Sequence, residues 1–273
     1  MKDFNPINNI TPLVLATDLD GTLIPLPEAP ENKEALQTLT QALHSQQRKL
    51  VFVTGRHFES VLDAIARFDL PMPDWIVCDV GSSIFKRMGD AYEPYTAYVS
   101  HLESVTQSLD RNIILDSLKD IEGMRLQVPE HQQQFKISYE CEGNALDATT
   151  HSVEAALRDK ELPYCSLGSL DPFSGLGLID VLPLHVNKAY AVIWLATHAD
   201  FHPGEVVFSG DSGNDLAALT CGFRAIVVSN ASSGLADKVE AHHKAKGWKE
   251  RFIFTQGKAS SGVLEGCRYF GLI

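Results

Sequence analysis

The sequence predicts an α/β protein: a core built on a parallel sheet, with a smaller α+β layer inserted into it. Three observations predict this. Short apolar runs rich in β-formers alternate with helix-period segments at both ends of the chain. Between residues 86 and 183 that rhythm gives way to half-exposed strands and separate helices. Several of the buried strands end in polar residues of a chemically useful kind.

The first strand is the run Leu13-Val14-Leu15-Ala16, which leads into Thr17-Asp18-Leu19-Asp20-Gly21-Thr22. Residues two apart on an extended strand share a face, so Asp18 and Asp20 are expected to point into one space. Two like charges held together need a cation, a shared proton or open water, and a metal is the most economical of these. Gly21 permits the turn that follows. Segment 24–30 is a proline-punctuated loop, and residues 31–47 carry Ala35, Leu36, Leu39, Ala42 and Leu43 at helical spacing. A second buried strand, Leu50-Val51-Phe52-Val53, ends at Thr54-Gly55-Arg56. A helix over 58–68 and a third strand, Trp75-Ile76-Val77-Cys78, follow. Strand, helix, strand, helix, strand with short links implies parallel strands and right-handed crossovers.

The inserted segment is expected to contain a helix over 97–109 and half-exposed strands at 125–128 and 135–139. A helix over 145–158, a loop over 168–177 holding Pro172, and a closing strand at 178–182 complete it. The first rhythm resumes at Asn187 with a helix carrying Ala191, Val192, Trp194 and Leu195. A strand at 205–209 then ends in Gly210-Asp211-Ser212-Gly213-Asn214-Asp215. Another helix, a strand at 224–228 and a terminal helix within 257–270 finish the core. Domain boundaries are thus expected at 1–85 with 184–273 for the core and 86–183 for the insertion. The basic stretch 238–251 reads as a solvated face, and His242-His243 as surface on a helix.

Composition narrows the function. The chain of 273 residues is long enough for a substantial core, with 44% hydrophobic and 21% charged residues. Its net charge of −12 disfavours a nucleic-acid backbone interface, though a pocket can still favour a small anion. No apolar run is long enough to span a membrane, and residues 1–11 lack a signal-peptide pattern. The five cysteines have no C-x-x-C spacing, so reduced thiols in a cytoplasmic protein are expected. The oligomeric state stays open and is compatible with a monomer.

In an open parallel sheet, ligands sit outside the carboxyl ends of the strands. Asp18, Asp20, Thr54, Asp211 and Asp215 can therefore converge, and Lys188 begins a helix that could reach the same place. These residue types suit phosphoryl transfer from a small anion. A carboxylate can attack phosphorus, and a neighbouring acid can protonate the leaving oxygen and then activate water. Magnesium prefers oxygen ligands, while a hydroxyl and a lysine can hold the phosphoryl oxygens. The Ser212-Gly213-Asn214 turn offers backbone donors to the same anion.

Four segments in this order resemble the motifs of the haloacid dehalogenase-like phosphohydrolases: Asp18-Leu-Asp-Gly-Thr22, Thr54-Gly-Arg56, Lys188 and Gly210-Asp-Ser-Gly-Asn-Asp215. The insertion lies between the second and third, as in members with an α/β cap. Within that group the chain is similar to sucrose-phosphate phosphatases through Val80-Gly-Ser-Ser-Ile84, Phe135-Lys-Ile-Ser-Tyr139, Asp180-Val-Leu-Pro183 and Ser229-Asn-Ala231. The resemblance implies a Rossmann-like core with an inserted α+β cap domain, and a Mg2+-dependent phosphatase acting on a sugar phosphate, foremost sucrose 6-phosphate. It implies that Asp18 is the nucleophile and a metal ligand. Asp20 becomes the acid/base, with its backbone carbonyl on the metal. Asp211 is implied as the third ligand, and Asp215 as the residue that orients a metal-bound water or Lys188.

Thr54 and Lys188 are implied to hold the phosphoryl group with Asn214 nearby, and Gly55 and Arg56 fall with them among the substrate-binding positions. Gln134 and Lys136 are candidate cap contacts to the sugar or the phosphate in that reading; solvent-facing positions are the alternative for both. For Arg56 a salt bridge to a cap or core acid is the alternative to facing the leaving group. Lys188-Ala189, where relatives commonly have Lys-Gly, and Gly21-Thr22, where many sucrose-phosphate phosphatases have Asn-Thr, depart from the pattern. The cap is implied to close over the sheet for the first step and open for release. Alternatives are a phosphatase for a hexose phosphate or another phosphorylated disaccharide, transfer to a second sugar, a regulatory phospho-acceptor domain, and a silent sugar-phosphate sensor.

Overall fold

A computed structural model describes residues 10–171 and 174–273. In chain order the elements are β1 (Val14–Thr17), α1 (Glu31–Ser45), β2 (Lys49–Val53), α2 (Phe58–Phe68), β3 (Trp75–Cys78), β4 (Ser83–Met88) and β5 (Ala91–Pro94). There follow α3 (Thr96–Val105), α4 (Arg111–Leu118), β6 (Arg125–Leu126), β7 (Ile137–Cys141), α5 (Leu146–Asp159), β8 (Tyr164–Leu170) and β9 (Gly177–Pro183). The chain ends with α6 (Lys188–His198), β10 (Val206–Gly210), α7 (Leu216–Thr220), β11 (Arg224–Val227), α8 (Leu235–Lys246), β12 (Phe252–Phe254) and α9 (Ala259–Tyr269).

The chain forms two compact units, one of residues up to Glu93 with Lys188–Ile273, the other Pro94–Asn187. The first is built on an eight-stranded sheet of order β12-β11-β10-β1-β2-β3-β4-β5. Its strands are parallel from β12 to β3, and β4 turns back antiparallel on β3. The central strands are buried along their length, as expected of parallel strands covered on both faces. On one side Leu36, Leu39 and Leu43 of α1, Val61 and Ala64 of α2, and Val263 of α9 pack against Leu15, Phe52 and Ile76. On the other, α6 packs on α7 and α7 on α8. The order matters for function. From β1 the chain winds outward through β2 and β3, and from β10 it winds the opposite way through β11 and β12. The crevice between β1 and β10 is the topological switch point. The second unit is a four-stranded sheet, β6-β7-β9-β8, with antiparallel neighbours. Ile114, Leu118, Val153 and Leu157 of α4 and α5 cover Ile137, Tyr139, Ile179 and Val181.

Several sequence expectations need correction. The core sheet does not end near residue 85, because the β4–β5 hairpin extends it and places residues 86–93 with the core. The helix expected over 97–109 stops at Val105, where Gln107 and Ser108 turn left-handed, and α4 begins after Asp110 caps its first turn. The strand at 135–139 starts only at Ile137, and residues 137–139 are all buried rather than alternating, since helices cover one face and neighbouring strands flank it. The expected loop from 168 is strand as far as Leu170. His243 is buried and not surface: its Nε2 lies 2.7 Å from the Leu219 carbonyl, and its ring meets Trp248 edge-on. The lysines of stretch 238–251 are exposed. All five cysteines are free thiols, and Cys78, Cys141 and Cys267 are buried. Residues 1–9, most of the segment read for a signal-peptide pattern, and Pro172 lie outside the described residues. Among the described residues, no helix is long and apolar enough to cross a membrane.

Candidate active site

The register of the central strands puts three of the predicted motifs side by side. Thr17 aligns with Ser209 on one flank and with Phe52 on the other. Asp18, Asp211 and Thr54 therefore follow the carboxyl ends of three adjacent strands. The end of β1 is anchored from within: Ser209 Oγ donates to Thr17 Oγ1 at 2.7 Å, and Thr17 Oγ1 donates to the Asp18 carbonyl at 2.8 Å. Buried hydroxyls satisfied in this way hold the strand end in one geometry.

Lys188 is the hub. It opens α6, is fully buried, and its Nζ donates to Asp18 Oδ1 and to Asp215 Oδ1, each at 2.7 Å. Asp215 is saturated on its other oxygen, which accepts from the Asp211 and Ser212 amides, each at 3.1 Å, and from Ser212 Oγ at 3.3 Å. Asp211 Oδ1 accepts from Thr22 Oγ1 at 2.9 Å. Gly21 lies so near the Asp211 carboxylate that any Cβ there would collide with it, and its φ of +73° favours glycine independently. Asn214 reaches the second motif: a Cβ on Gly55 would stand 3.9 Å from Asn214 Nδ2.

One carboxylate oxygen from each of Asp18, Asp211 and Asp215 falls in a single group, all within 4.8 Å of one another. Burial above all, with the charges of Asp215 and Asp211, holds the Asp18 carboxyl well above its ordinary range despite Lys188. Burial and the Asp215 charge push Asp211 from 3.8 up to about 6. Burial alone would lower the Lys188 ammonium, but Asp18 and Asp215 hold it well above its usual range. Three carboxylates thus face one fixed ammonium. Oxygen donors carrying surplus negative charge in a buried crevice fit a hard divalent cation. Since Asp215 is already engaged on both oxygens, Asp18 and Asp211 are the side chains that would hold it.

This charge surplus has a measurable consequence. A carboxyl raised in the folded state favours folding below its unfolded pKa, and that contribution is lost as pH rises through the folded value. In chelator, the contribution of Asp211 to stability is expected to fall as pH rises from about 4 to about 6. Urea unfolding of wild type against Asp211→Asn across that range reads the difference directly. A divalent cation should reverse the loss in wild type only. A wild-type advantage that grows with pH in chelator would contradict the assignment.

Asp20 departs from the sequence expectation. The strand ends at Thr17, and the chain winds into a turn over Leu19–Leu23, so the two-residue alternation that was to align Asp18 with Asp20 no longer applies. The Asp20 carboxylate is more than half exposed and forms a two-pronged ion pair with Arg56, Nε to Oδ2 and Nη2 to Oδ1, each 2.7 Å. Of the two readings for Arg56, the structure contains the salt bridge to a core acid. Its guanidinium is raised by that hydrogen bonding, and Nη1 also donates to Ser60 Oγ at 2.9 Å. Thr54 is buried, and its Oγ1 accepts from the Arg56 amide at 3.2 Å. Lys136 lies in the second unit. It is buried, not solvent-facing, with Nζ 4.0 Å from Asp180 Oδ1. Gln134 is exposed.

Two residues near the core site carried no role in the sequence reading. Thr22 was quoted only as the end of a motif, yet it holds Asp211. Asn230 belongs to the quoted Ser229-Asn-Ala231 segment. Its Nδ2 donates to the Gly21 carbonyl at 2.7 Å and its Oδ1 accepts from the Ala259 amide at 2.8 Å, tying the first motif to the start of α9. The signal for both was position in a matched segment, without a chemistry to attach to it.

Comparison with known proteins agrees with this geometry. Residues 11–271 match the family described as sucrose-6F-phosphate phosphohydrolase. A HAD-like hydrolase of Nitrosococcus oceani is 31% identical over 266 residues, covering 94% of this chain and 71% of that protein. The mannosylfructose-phosphate phosphatase of Agrobacterium fabrum is 30% identical over 264 residues, covering 95% and 97%. In fold, the chain is similar to the sucrose-phosphatase of Synechocystis sp. PCC6803, solved with sucrose and phosphate, with a TM-score of 0.72 at 24% identity over 96% of this chain and 99% of that one. With the matched region running from before the first strand to beyond the last helix, the chain belongs to the sucrose-6F-phosphate phosphohydrolase family, sugar phosphatases of the haloacid dehalogenase superfamily.

Proposed function

We propose that this phosphoric monoester hydrolase is a Mg2+-dependent phosphatase of sucrose 6-phosphate that works through phospho-Asp18. The observation that carries the proposal is the buried Asp18–Lys188–Asp215 chain beside Asp211 at the switch point. Lys188 engages Oδ1 of Asp18, so Oδ2 is the oxygen offered to phosphorus. The ammonium favours the ionised, nucleophilic form of Asp18 and so opposes the burial that favours its proton. Asp215, fixed by two backbone amides, keeps Lys188 from drifting toward the substrate. Asn214 Nδ2 borders the space over Gly55, and this amide and the Thr54 hydroxyl of the same motif as Gly55 are the groups that can donate to phosphoryl oxygens.

Asp18 and Asp211, with the Asp20 carbonyl, would hold Mg2+, which when bound neutralises charge on the phosphoryl oxygens. Asp20 gives its proton to the departing sugar oxygen, then takes one from the water that attacks phospho-Asp18. That role requires the Asp20 carboxyl to leave Arg56, because an acid bridged by a guanidinium has both oxygens occupied. Lys136 is the candidate sugar contact in the inserted unit.

The substrate is tested by phosphate release from sucrose 6-phosphate, mannosylfructose phosphate, glucose 6-phosphate and fructose 6-phosphate. Sucrose 6-phosphate should lead in kcat/KM by about tenfold or more. Turnover should vanish in EDTA and return with Mg2+. A second reading, mannosylfructose phosphate, is favoured by the relative that matches over nearly the full length of both chains. It is adopted if that compound leads the panel. Activity unaffected by EDTA would remove the metal from the proposal.

A further inference from the structure

The β3–β4 connection is unusual. Cys78 pairs with Ser83, and the chain reverses through Asp79, Val80 and Gly81, whose φ angles are +53°, +58° and +102°. Tight hairpin turns call for left-handed residues, normally supplied by Gly, Asn or Asp. A β-branched valine there is a steric outlier, because its Cβ crowds the following carbonyl. Glycine or asparagine would make the same turn at less cost. Strain of this kind persists only where the surroundings over-determine it, and it gathers at functional sites.

The surroundings here are the second motif. The Asp79 amide donates to the Arg56 carbonyl at 2.9 Å, and the Val80 amide donates to the Thr54 carbonyl at 3.1 Å. Thr54 in turn donates its own amide to Val77 at 2.9 Å. The Thr54–Gly55–Arg56 loop is therefore laced to the end of β3 by three successive backbone bonds, two of which need the left-handed turn. The side chain is placed as well. A Cβ on Gly55 would meet Val80 Cγ2 at 3.8 Å and Asn214 Nδ2 at 3.9 Å, so these two groups flank the space that the glycine leaves open. Val80 is buried, and α6, which begins with Lys188, packs on the same turn.

We propose that Val80 is a positioning residue for phosphoryl transfer. Its left-handed backbone locks the Thr54–Gly55–Arg56 loop, and its isopropyl group forms the apolar wall of the phosphoryl pocket beside Gly55 and Asn214. It touches no reacting atom. It acts through Thr54 and Asn214 by holding them where the equatorial oxygens of the transition state arrive. Loss of such placement costs rate more than binding, because the ground state tolerates small displacements that the transition state does not. The inference rests on the reading of Thr54 and Asn214 as phosphoryl ligands.

The test compares Val80→Gly and Val80→Thr with wild type and with Thr54→Ala, in the full chain with Mg2+. Val80→Gly keeps the turn and removes the wall, whereas Val80→Thr keeps the branched shape. In Val80→Gly we expect kcat on sucrose 6-phosphate to fall about tenfold or more with KM within about twofold. Inhibition by orthovanadate, which mimics the five-coordinate phosphorus, should weaken about tenfold while inhibition by inorganic phosphate stays unchanged. The melting temperature should stay near wild type, since relief of the left-handed strain offsets the lost burial. Val80→Thr should retain most of kcat. Should Val80→Gly fail to fold, Val80→Ala takes its place in the same assays. A variant with normal kcat, beside an inactive Thr54→Ala, overturns the inference alone. A parallel fall of kcat, phosphate affinity and melting temperature overturns it too, by marking a packing role. A fully active Thr54→Ala removes the phosphoryl-pocket reading itself.

Discussion

Lys188→Met is expected to cost about 3–5 kcal/mol of stability at pH 8 and to abolish turnover. The substitution removes the partner of two buried acids at once, and an uncompensated buried charge is the expensive outcome of breaking such a pair. Both hydrogen bonds are 2.7 Å and the ammonium is wholly buried, so water cannot replace it without opening α6. The penalty should shrink toward pH 5. Asp18 already holds its proton more tightly than an ordinary carboxyl, and the loss of Lys188 strengthens that hold. Urea unfolding at the two pH values reads both effects. A cost below about 1 kcal/mol at pH 8, the level of an exposed ion pair, would mean that the acids do not depend on the ammonium.

Asp18→Asn should leave the fold intact and lower turnover on the order of 10⁴-fold. The amide oxygen still accepts the Lys188 proton, so the architecture around α6 survives. What is lost is the anionic oxygen that attacks phosphorus. Wild-type protein quenched in acid during turnover should carry one added phosphate by intact-mass measurement, and the variant none. Equal phosphate release by the two proteins would move the nucleophile elsewhere. The pair of substitutions separates two jobs at one hydrogen bond: removing Lys188 harms folding and chemistry together, removing the Asp18 charge harms chemistry alone.

Most of the core was legible because its parallel strands are short, apolar and followed at once by polar residues. Asp18, Thr54, Asp211 and Asp215 could be placed from that pattern, since the carboxyl end of a parallel sheet is one location whatever the distance along the chain. From local pattern Lys188 was legible as the start of a helix, and the family resemblance gave it a phosphoryl-binding role; its burial depends on two acids that no local window contains. The strand alternation used to align Asp20 with Asp18 failed because a period of two holds only while the strand lasts, and β1 stops at Thr17. The β4–β5 hairpin was hidden by exposed, mixed residues that carry little alternation at a sheet edge. His243 was hidden by its neighbours: in a basic, polar helix it joins Leu235 and Val239 on the buried side, against Leu219 and Trp248. Asn230 bonds backbone groups, and the backbone of Val80 bonds the Thr54 carbonyl, links that a side-chain motif does not advertise.

The tie that Asn230 makes between Gly21 and Ala259 bears on how the protein is made. The site is assembled from very distant parts of the chain: Thr22 and Asp211 are 189 positions apart, and Asn230 and Gly21 are 209 apart. Contacts of such separation form late, because the intervening chain must be ordered before they repay its loss of freedom. On the ribosome, Asp18 emerges before Asp211 and Asn230, and its site is expected to stay incomplete until β10 has paired with β1 and α9 has docked. Recovery of phosphatase activity during refolding should therefore lag the recovery of helix signal and coincide with completion of the native core.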